Sequence, residues 1–121
     1  MRVLASILAS LLIVASTASA QGTTSRVTGV VTDRTGSVVP GATVTLTNES
    51  TGIALTAVSN ATGGYSFEAV QVGTYTVTVE LQGFKRFTST GNPVRIGEPA
   101  TVNAVLDAGG LEETVEVRAS A

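Results

Sequence analysis

The chain has 121 residues, of which 43% are apolar and 13% charged, with no cysteine, no histidine and a formal net charge of −2. The length suits one domain, and the composition is far from the low-hydrophobicity, high-charge range of disordered chains. The missing cysteine and histidine exclude disulfides, thiolate or imidazole metal sites and histidine-based triads, and seven scattered basic residues provide no stripe for nucleic acid.

The chain begins with the pattern of a secretory signal peptide. Arg2 supplies a positive charge, residues 3–15 form a short apolar run, and Ala18-Ser19-Ala20 presents small residues where a signal peptidase cleaves. A membrane anchor is the less favoured alternative, because a spanning helix needs about 20 apolar residues. We therefore expect a cleaved helical signal peptide at residues 1–20 and an exported chain with no membrane span of its own.

Alternation of apolar and polar residues dominates from residue 26 onward. Residues 42–47 read Ala-Thr-Val-Thr-Leu-Thr, and residues 75–80 alternate in the same way, which is typical of half-buried antiparallel strands. Pairs that contain glycine or proline recur at short intervals and mark turns between the runs. No useful stretch has the helical period. The sequence therefore predicts seven strands, near residues 26–33, 42–48, 53–59, 64–69, 74–81, 85–90 and 100–107.

Seven short strands at this spacing are typical of a β-sandwich made of two facing sheets. We expect Gly29 to permit a close backbone approach or a bulge, and Asp33 and Asn60 to cap turns with their side chains. The aromatic and aliphatic residues at alternate positions are expected to pack in the core. These core candidates are Val27, Val31, Val44, Leu46, Leu55, Tyr65, Phe67, Tyr75, Val77, Val79, Phe84, Val102 and Leu106.

Short motifs follow one another in a fixed order through this region. Val27-x-Gly29-x-Val31-x-Asp33, Pro40-Gly41-Ala42-x-Val44-x-Leu46, Gly64-Tyr65-Ser66-Phe67 and Gly73-x-Tyr75-x-Val77-x-Val79, followed by Gly83-Phe84, resemble the carboxypeptidase regulatory-like domain. The resemblance implies an all-β, seven-stranded antiparallel Greek-key sandwich that is transthyretin-like (prealbumin-like), within the broader carbohydrate-binding-like fold. It also implies a non-catalytic accessory domain at residues 21–108, of the kind found in secreted peptidases, surface proteins and outer-membrane receptors.

The tail at residues 109–121 has a pattern of its own. Gly109-Gly110 is expected to act as a hinge. Residues 113–119 resemble the TonB box of outer-membrane transporters, a segment that pairs as an added strand with the periplasmic energy-coupling protein TonB. An additional edge strand or a frayed terminus is the open alternative. The candidate partner-binding residues are Glu113, Thr114, Val115, Val117 and Ala119.

The order of sandwich, glycine pair and TonB-box-like segment resembles the N-terminal region of Oar-like and SusC-like receptors. Such receptors continue into a plug and a membrane barrel, whereas this chain ends at Ala121. We therefore expect either the periplasmic extension or a truncated fragment of a TonB-dependent receptor, or a free-standing module, located in the periplasm or outer membrane of a Gram-negative bacterium. The partner expected is a TonB-like energy-coupling protein.

A glycan-binding module is the alternative function, suggested by the wider fold. Sugar sites usually offer an aromatic platform, and the chain has no tryptophan. Phe87, beside Lys85 and Arg86, is the aromatic residue that the sequence leaves as a possible exposed ligand surface. No catalytic pair, metal site or cofactor site can be nominated, so we expect no enzymatic activity.

Overall fold

The structure, a computed structural model, describes residues 23–119. The signal peptide expected at residues 1–20 lies outside the described residues. Within residues 23–119 the regular structure is entirely β, and none of it is a helix that could cross a membrane. The nine strands are β1 (Thr24–Asp33), β2 (Thr43–Asn48), β3 (Ala54–Val58), β4 (Gly64–Gln71), β5 (Gly73–Glu80), β6 (Arg86–Val94), β7 (Ala100–Thr101), β8 (Ala104–Leu106) and β9 (Thr114–Arg118).

The strands form the two-sheet sandwich that the sequence predicts. One sheet has the order β4-β1-β7, with β8 also paired to β1, and the other has the order β3-β2-β5-β6-β9. Because the chain alternates between the sheets, β4 returns beside β1, as in the Greek-key connections of sandwiches. The expectation of seven antiparallel strands is wrong in two details. The described residues form nine strands, and β7 and β8 run parallel to β1 while β9 runs parallel to β6.

Two side chains divide the predicted seventh strand into β7 and β8. In an unbroken parallel ladder the Val30 N–H would bond to the Val102 carbonyl. The Tyr65 hydroxyl instead donates to the Val102 carbonyl, and the Val30 N–H donates to Asn103 Oδ1 at 3.0 Å. The strand therefore remains alongside β1 in the same register, but its ladder is interrupted at residues 102 and 103.

The core lies between the sheets and contains most of the predicted residues. Leu55 is a correction, because it is 40% exposed on β3, an edge strand of the wider sheet that the narrower sheet does not fully cover. Phe84 is half-buried at the margin, between β5 and β6. The predicted residues that are buried are Val27, Val31, Val44, Leu46, Tyr65, Phe67, Tyr75, Val77, Val79, Val102 and Leu106.

The predicted turn caps and the predicted close approach are confirmed. Asp33 Oδ1 accepts the backbone N–H groups of two residues in the following turn, at 2.9 and 3.1 Å. Asn60 Oδ1 does the same after β3, with both distances 3.0 Å. A side chain at Gly29 would collide with the Val102 carbonyl and the Tyr65 ring. Gly29 therefore lets β1 pass directly beneath Tyr65.

Candidate functional site

The tail that resembles a TonB box reaches its position through the glycine pair after β8. Gly109 and Gly110 are half-buried, and the Gly109 N–H donates to the Gly83 carbonyl at 3.1 Å. The Lys85 side chain lies against Gly109, where an added Cβ would be 2.6 Å from Lys85 Cγ. The Glu113 N–H closes the turn on the Gly110 carbonyl at 3.0 Å. The pair thus forms a packed turn in this conformation, and its hinge role stays a prediction.

After this turn the tail adds to the wider sheet as β9. It runs parallel to β6, and its register begins with Arg86 opposite Thr114. The Arg86 N–H donates to the Glu113 carbonyl at 2.8 Å, and the Ala119 N–H donates to the Thr90 carbonyl at 2.9 Å. The backbone pairing therefore extends over the whole segment singled out from the sequence. This arrangement is the edge strand that the sequence left open as an alternative.

The other edge of β9 is open. Alternate residues of a parallel strand bond to the same neighbour, and the bonds of Glu113 and Ala119 go to β6. The N–H and C=O groups of Thr114, Glu116 and Arg118 consequently point away from β6. Within residues 23–119 no strand pairs with that edge. β9 thus presents three evenly spaced residues to any strand that approaches it.

The side chains of β9 contribute little burial. Thr114, Glu116 and Arg118 are exposed, Val115 is half-buried, and Val117 is 41% exposed. The central strands β1, β2, β5 and β6 each bury alternate side chains instead. Backbone hydrogen bonds therefore supply most of the contact between β9 and the sandwich. Segments held in this way open at lower free energy than a core strand does.

A groove of about 600 Å³ separates β9 from β8 in the opposite sheet. At one end the Arg34 guanidinium forms a hydrogen-bonded ion pair with Asp107, and its hydrogen bond lowers the pKa of the Asp107 carboxyl. Val115 and Val117 face the groove from the β9 side, and Val105 faces it from β8. The structure thus brings together two of the candidate residues on an apolar surface. The full lining is Arg34, Phe87, Asn103, Val105, Asp107, Val115 and Val117.

Charged groups lie at both ends of β9. At its start, Lys85 Nζ is 3.4 Å from Glu113 Oε2, and both side chains are partly exposed. Near its end, the hydrogen bond from the Gly91 N–H is the principal cause that lowers the pKa of Glu49, and the charge of Arg118 adds to this lowering. Both interactions are exposed to solvent and add little to the hold of the strand.

Phe87 does not form an exposed ligand surface, and that expectation is wrong. It is 6% exposed and faces the sandwich interior from β6, as does Ser89 two residues later. The charged neighbours Lys85 and Arg86 suggested exposure, but they lie at the start of an alternating strand in which residues 87 and 89 face inward. No aromatic side chain within residues 23–119 is exposed: Tyr65, Phe67, Tyr75 and Phe87 are buried, and Phe84 is half-buried.

The role of Asn92 was missed in the sequence, where Asn92-Pro93 indicated a turn and the strand was expected to end at residue 90. Its buried amide donates to the Tyr75 carbonyl at 3.1 Å and to the Ser89 carbonyl at 2.9 Å. These bonds bridge a register shift between β5 and β6 and let β6 continue to Val94. The residues added beyond Thr90 pair with β5, whereas β9 pairs with residues 86–90 of β6. In the sequence, Asn92 is a polar residue beside proline, and this pattern indicates a turn as readily as a bulge.

Comparisons with known proteins identify a family and a fold. A family model described as the carboxypeptidase regulatory-like domain matches residues 26–107. The Bacillus anthracis TIE protein is 17% identical, with a TM-score of 0.61 over 71% of this chain and 17% of its own. A putative carbohydrate binding protein from Bacteroides uniformis is 22% identical, with a TM-score of 0.59 over 72% of this chain and 43% of its own.

The similar structures include enzymes. The Klebsiella pneumoniae 5-hydroxyisourate hydrolase is 27% identical, with a TM-score of 0.54 over 71% of this chain and 93% of its own. No curated protein sequence matches this chain. Within residues 23–119, no three Asp or Glu side chains lie close enough to hold a metal ion. Proteins of several kinds thus have a sandwich fold similar to that of this chain.

Proposed function

The chain belongs to the carboxypeptidase regulatory-like domain family, and we propose that it is a non-catalytic accessory module whose tail recruits a TonB-like energy-coupling protein. In this proposal the sandwich forms the periplasmic extension of a TonB-dependent outer-membrane receptor. The observation that carries it is β9, a strand held on the sandwich by its backbone, with no buried side chain. Such a segment can leave one sheet and join another at small cost.

Strand addition explains why this tail suits a partner sheet. Main-chain hydrogen bonds supply the affinity in this mode, and alternate side chains tune it. Val115 and Val117 lie on one face of the strand and Thr114 on the other, so a partner can read an apolar face and a polar face. Once β9 leaves β6, the backbone groups of residues 113–119 become available to the partner. The turn at Gly109 and Gly110 allows the segment to leave while the sandwich stays folded.

The residues that this sequence lacks support a non-catalytic role. The similarity to the hydrolase covers nearly all of that protein, but this sequence has no histidine or cysteine to act as a general base or nucleophile. Glu112, Glu113 and Glu116 are exposed on the tail rather than held across a cleft. We therefore assign no reaction to the sandwich. Export to the periplasm belongs to the same proposal and depends on the signal peptide pattern at residues 1–20.

Glycan binding is the weaker candidate. Phe87 was the residue nominated for it, and Phe87 is buried beneath β9 and the groove. The similarity to the putative carbohydrate binding protein is at 22% identity and supports the fold alone. A glycan site would need a platform built from other side chains. A glycan array probed with the purified protein tests this alternative, and a blank array removes it.

The proposal is tested with a labelled peptide that covers residues 111–119 and the purified C-terminal domain of TonB. Fluorescence anisotropy should show saturable binding. A control peptide with Val115→Pro and Val117→Pro should bind at least about tenfold more weakly, because proline cannot donate a ladder hydrogen bond and breaks strand pairing. No binding of the native peptide at high micromolar concentration, or equal binding of both peptides, would contradict strand addition by this tail.

A further inference from the structure

The open edge of β9 is complementary to itself. We propose that a second copy of this chain pairs with it antiparallel, so that two five-stranded sheets become one continuous sheet across a twofold axis. This inference goes beyond the proposed function, because it requires β9 to stay on β6 and involves no coupling protein.

The other edges of the sandwich are less suited to a specific pairing. β7 and β8 have two and three residues, and β4 carries a bulge at Ala69, whose φ is +54°. Among the described strands β3 is the remaining open edge, and its outward residues Ala54, Thr56 and Val58 carry no charge that could specify a register. Self-pairing of β3 is therefore the competing arrangement. On β9, by contrast, Glu116 and Arg118 have opposite charges two positions apart.

Symmetry limits the possible registers of β9 against a second β9. A twofold axis perpendicular to the sheet keeps each face of the strand on the same side, so one residue of each copy must lie at the axis. Glu116 at the axis would place two glutamates opposite each other, which is unfavourable. Val115 at the axis would place Glu116 opposite Thr114 of the second copy. Val117 at the axis places Glu116 of each copy opposite Arg118 of the other.

The backbone and the second face favour the same register. Glu116 and Arg118 are among the residues whose N–H and C=O groups point to the open edge, so they form the hydrogen-bonded pairs of the new ladder. On the opposite face Val117 meets Val117, and Val115 lies opposite Ala119. Val117 is 41% exposed in the single chain, and this contact covers it. The charged face and the apolar face of β9 therefore select one arrangement.

Cysteine crosslinking tests the register directly, since the native chain has no cysteine. In the proposed dimer two Val117 residues form a non-hydrogen-bonded pair, with a Cα separation of roughly 4.5 Å that suits a disulfide. Val117→Cys should crosslink under mild oxidation much faster than Glu116→Cys. Val30→Cys is the matched control, because Val30 is 40% exposed on a central strand of the other sheet. Thr56→Cys reports on self-pairing of β3.

Charge reversal tests the pairing without cysteine. Glu116→Arg or Arg118→Glu alone converts two attractive cross-strand pairs into two repulsive ones and should raise the dimer dissociation constant at least about tenfold in sedimentation experiments. The double variant with both changes should restore association. Circular dichroism verifies that each variant is folded. The inference is overturned if the native chain is monomeric at millimolar concentration, if Thr56→Cys or Glu116→Cys crosslinks fastest, or if the double variant fails to recover.

Discussion

Removal of the tail should cost the sandwich little stability. The perturbation is a chain that ends at Gly110 and therefore lacks β9. Each backbone hydrogen bond to β6 contributes about 1 kcal/mol net, and ordering each tail residue costs about 1–2 kcal/mol, so the ladder alone adds no net stability. The gain that remains comes from apolar burial by Leu111 and Val115, both half-buried, and amounts to on the order of 1–2 kcal/mol.

Truncation also uncovers part of Phe87, which lies behind Val115 and Val117 in the groove. Together these effects predict a loss of at most about 2–3 kcal/mol in the free energy of unfolding. Urea denaturation of the full and truncated chains, followed by circular dichroism, measures this difference. Hydrogen exchange should agree, with the β9 amides of the full chain exchanging far faster than those of β5. A loss above about 5 kcal/mol would exceed this estimate from apolar burial and would refute the view that β9 is a detachable strand. Equal protection of the β9 and β5 amides from exchange would refute it as well.

Three further predictions concern the sandwich. Gly29→Ala should destabilise it by about 3 kcal/mol or more, because the new Cβ would lie 2.6 Å from the Tyr65 ring, and an unchanged urea midpoint would contradict this packing. Ala69→Gly should be neutral or slightly stabilising, since Ala69 has a φ of +54°, whereas alanine-to-glycine changes in strands usually destabilise. The hydrogen bond from the Thr35 hydroxyl lowers the pKa of Asp33 below its ordinary value of 3.8. The contribution of this carboxylate to folding stability is therefore present above that pH and is lost as the pH falls through the folded pKa. Asp33→Asn should flatten the acid limb of the stability profile, and an unaltered limb would contradict the assignment.

The local features of the fold were predictable because they depend on neighbouring residues. Alternation placed eleven of the thirteen core candidates in the interior. Asp33 and Asn60 cap turns that begin within a few residues of them, so their roles could be read from sequence. Leu55 alternates correctly and faces inward, yet it is exposed because β3 lies at an edge of the sheet. Nothing in the neighbouring sequence indicates that edge position.

The features that escaped prediction depend on contacts between distant parts of the chain. The interruption between β7 and β8 arises from the Tyr65 hydroxyl and from Asn103, which lies 73 positions from its partner Val30. The burial of Phe87 depends on its place between β5 and β9 in the sheet. Period-two alternation says which side chains share a face, but it does not say which strand lies alongside or in which direction. The parallel pairing of β6 with β9 therefore had to come from the structure.

That pairing makes the sandwich a competitor of any partner that binds the tail. The apparent affinity of the intact chain equals that of the free tail multiplied by the fraction of molecules in which β9 has left β6. If docking stabilises the tail by about 1.4 kcal/mol, the intact chain should bind the coupling protein about tenfold more weakly than the peptide of residues 111–119 does. The ratio of the two affinities therefore measures the docking free energy independently of denaturation.

A reversible lock separates release of β9 from addition to its open edge. Thr88 and Glu116 lie opposite each other in the register of β6 and β9, at a spacing that suits a disulfide. The double variant Thr88→Cys, Glu116→Cys should lose binding to the coupling protein when oxidised and regain it when reduced, with the reduced form serving as its own control. Equal binding in both redox states would mean that the partner adds to β9 while β9 remains on β6. Recognition would then depend on Thr114 and Arg118, whose backbone groups point to the open edge, rather than on Val115 and Val117.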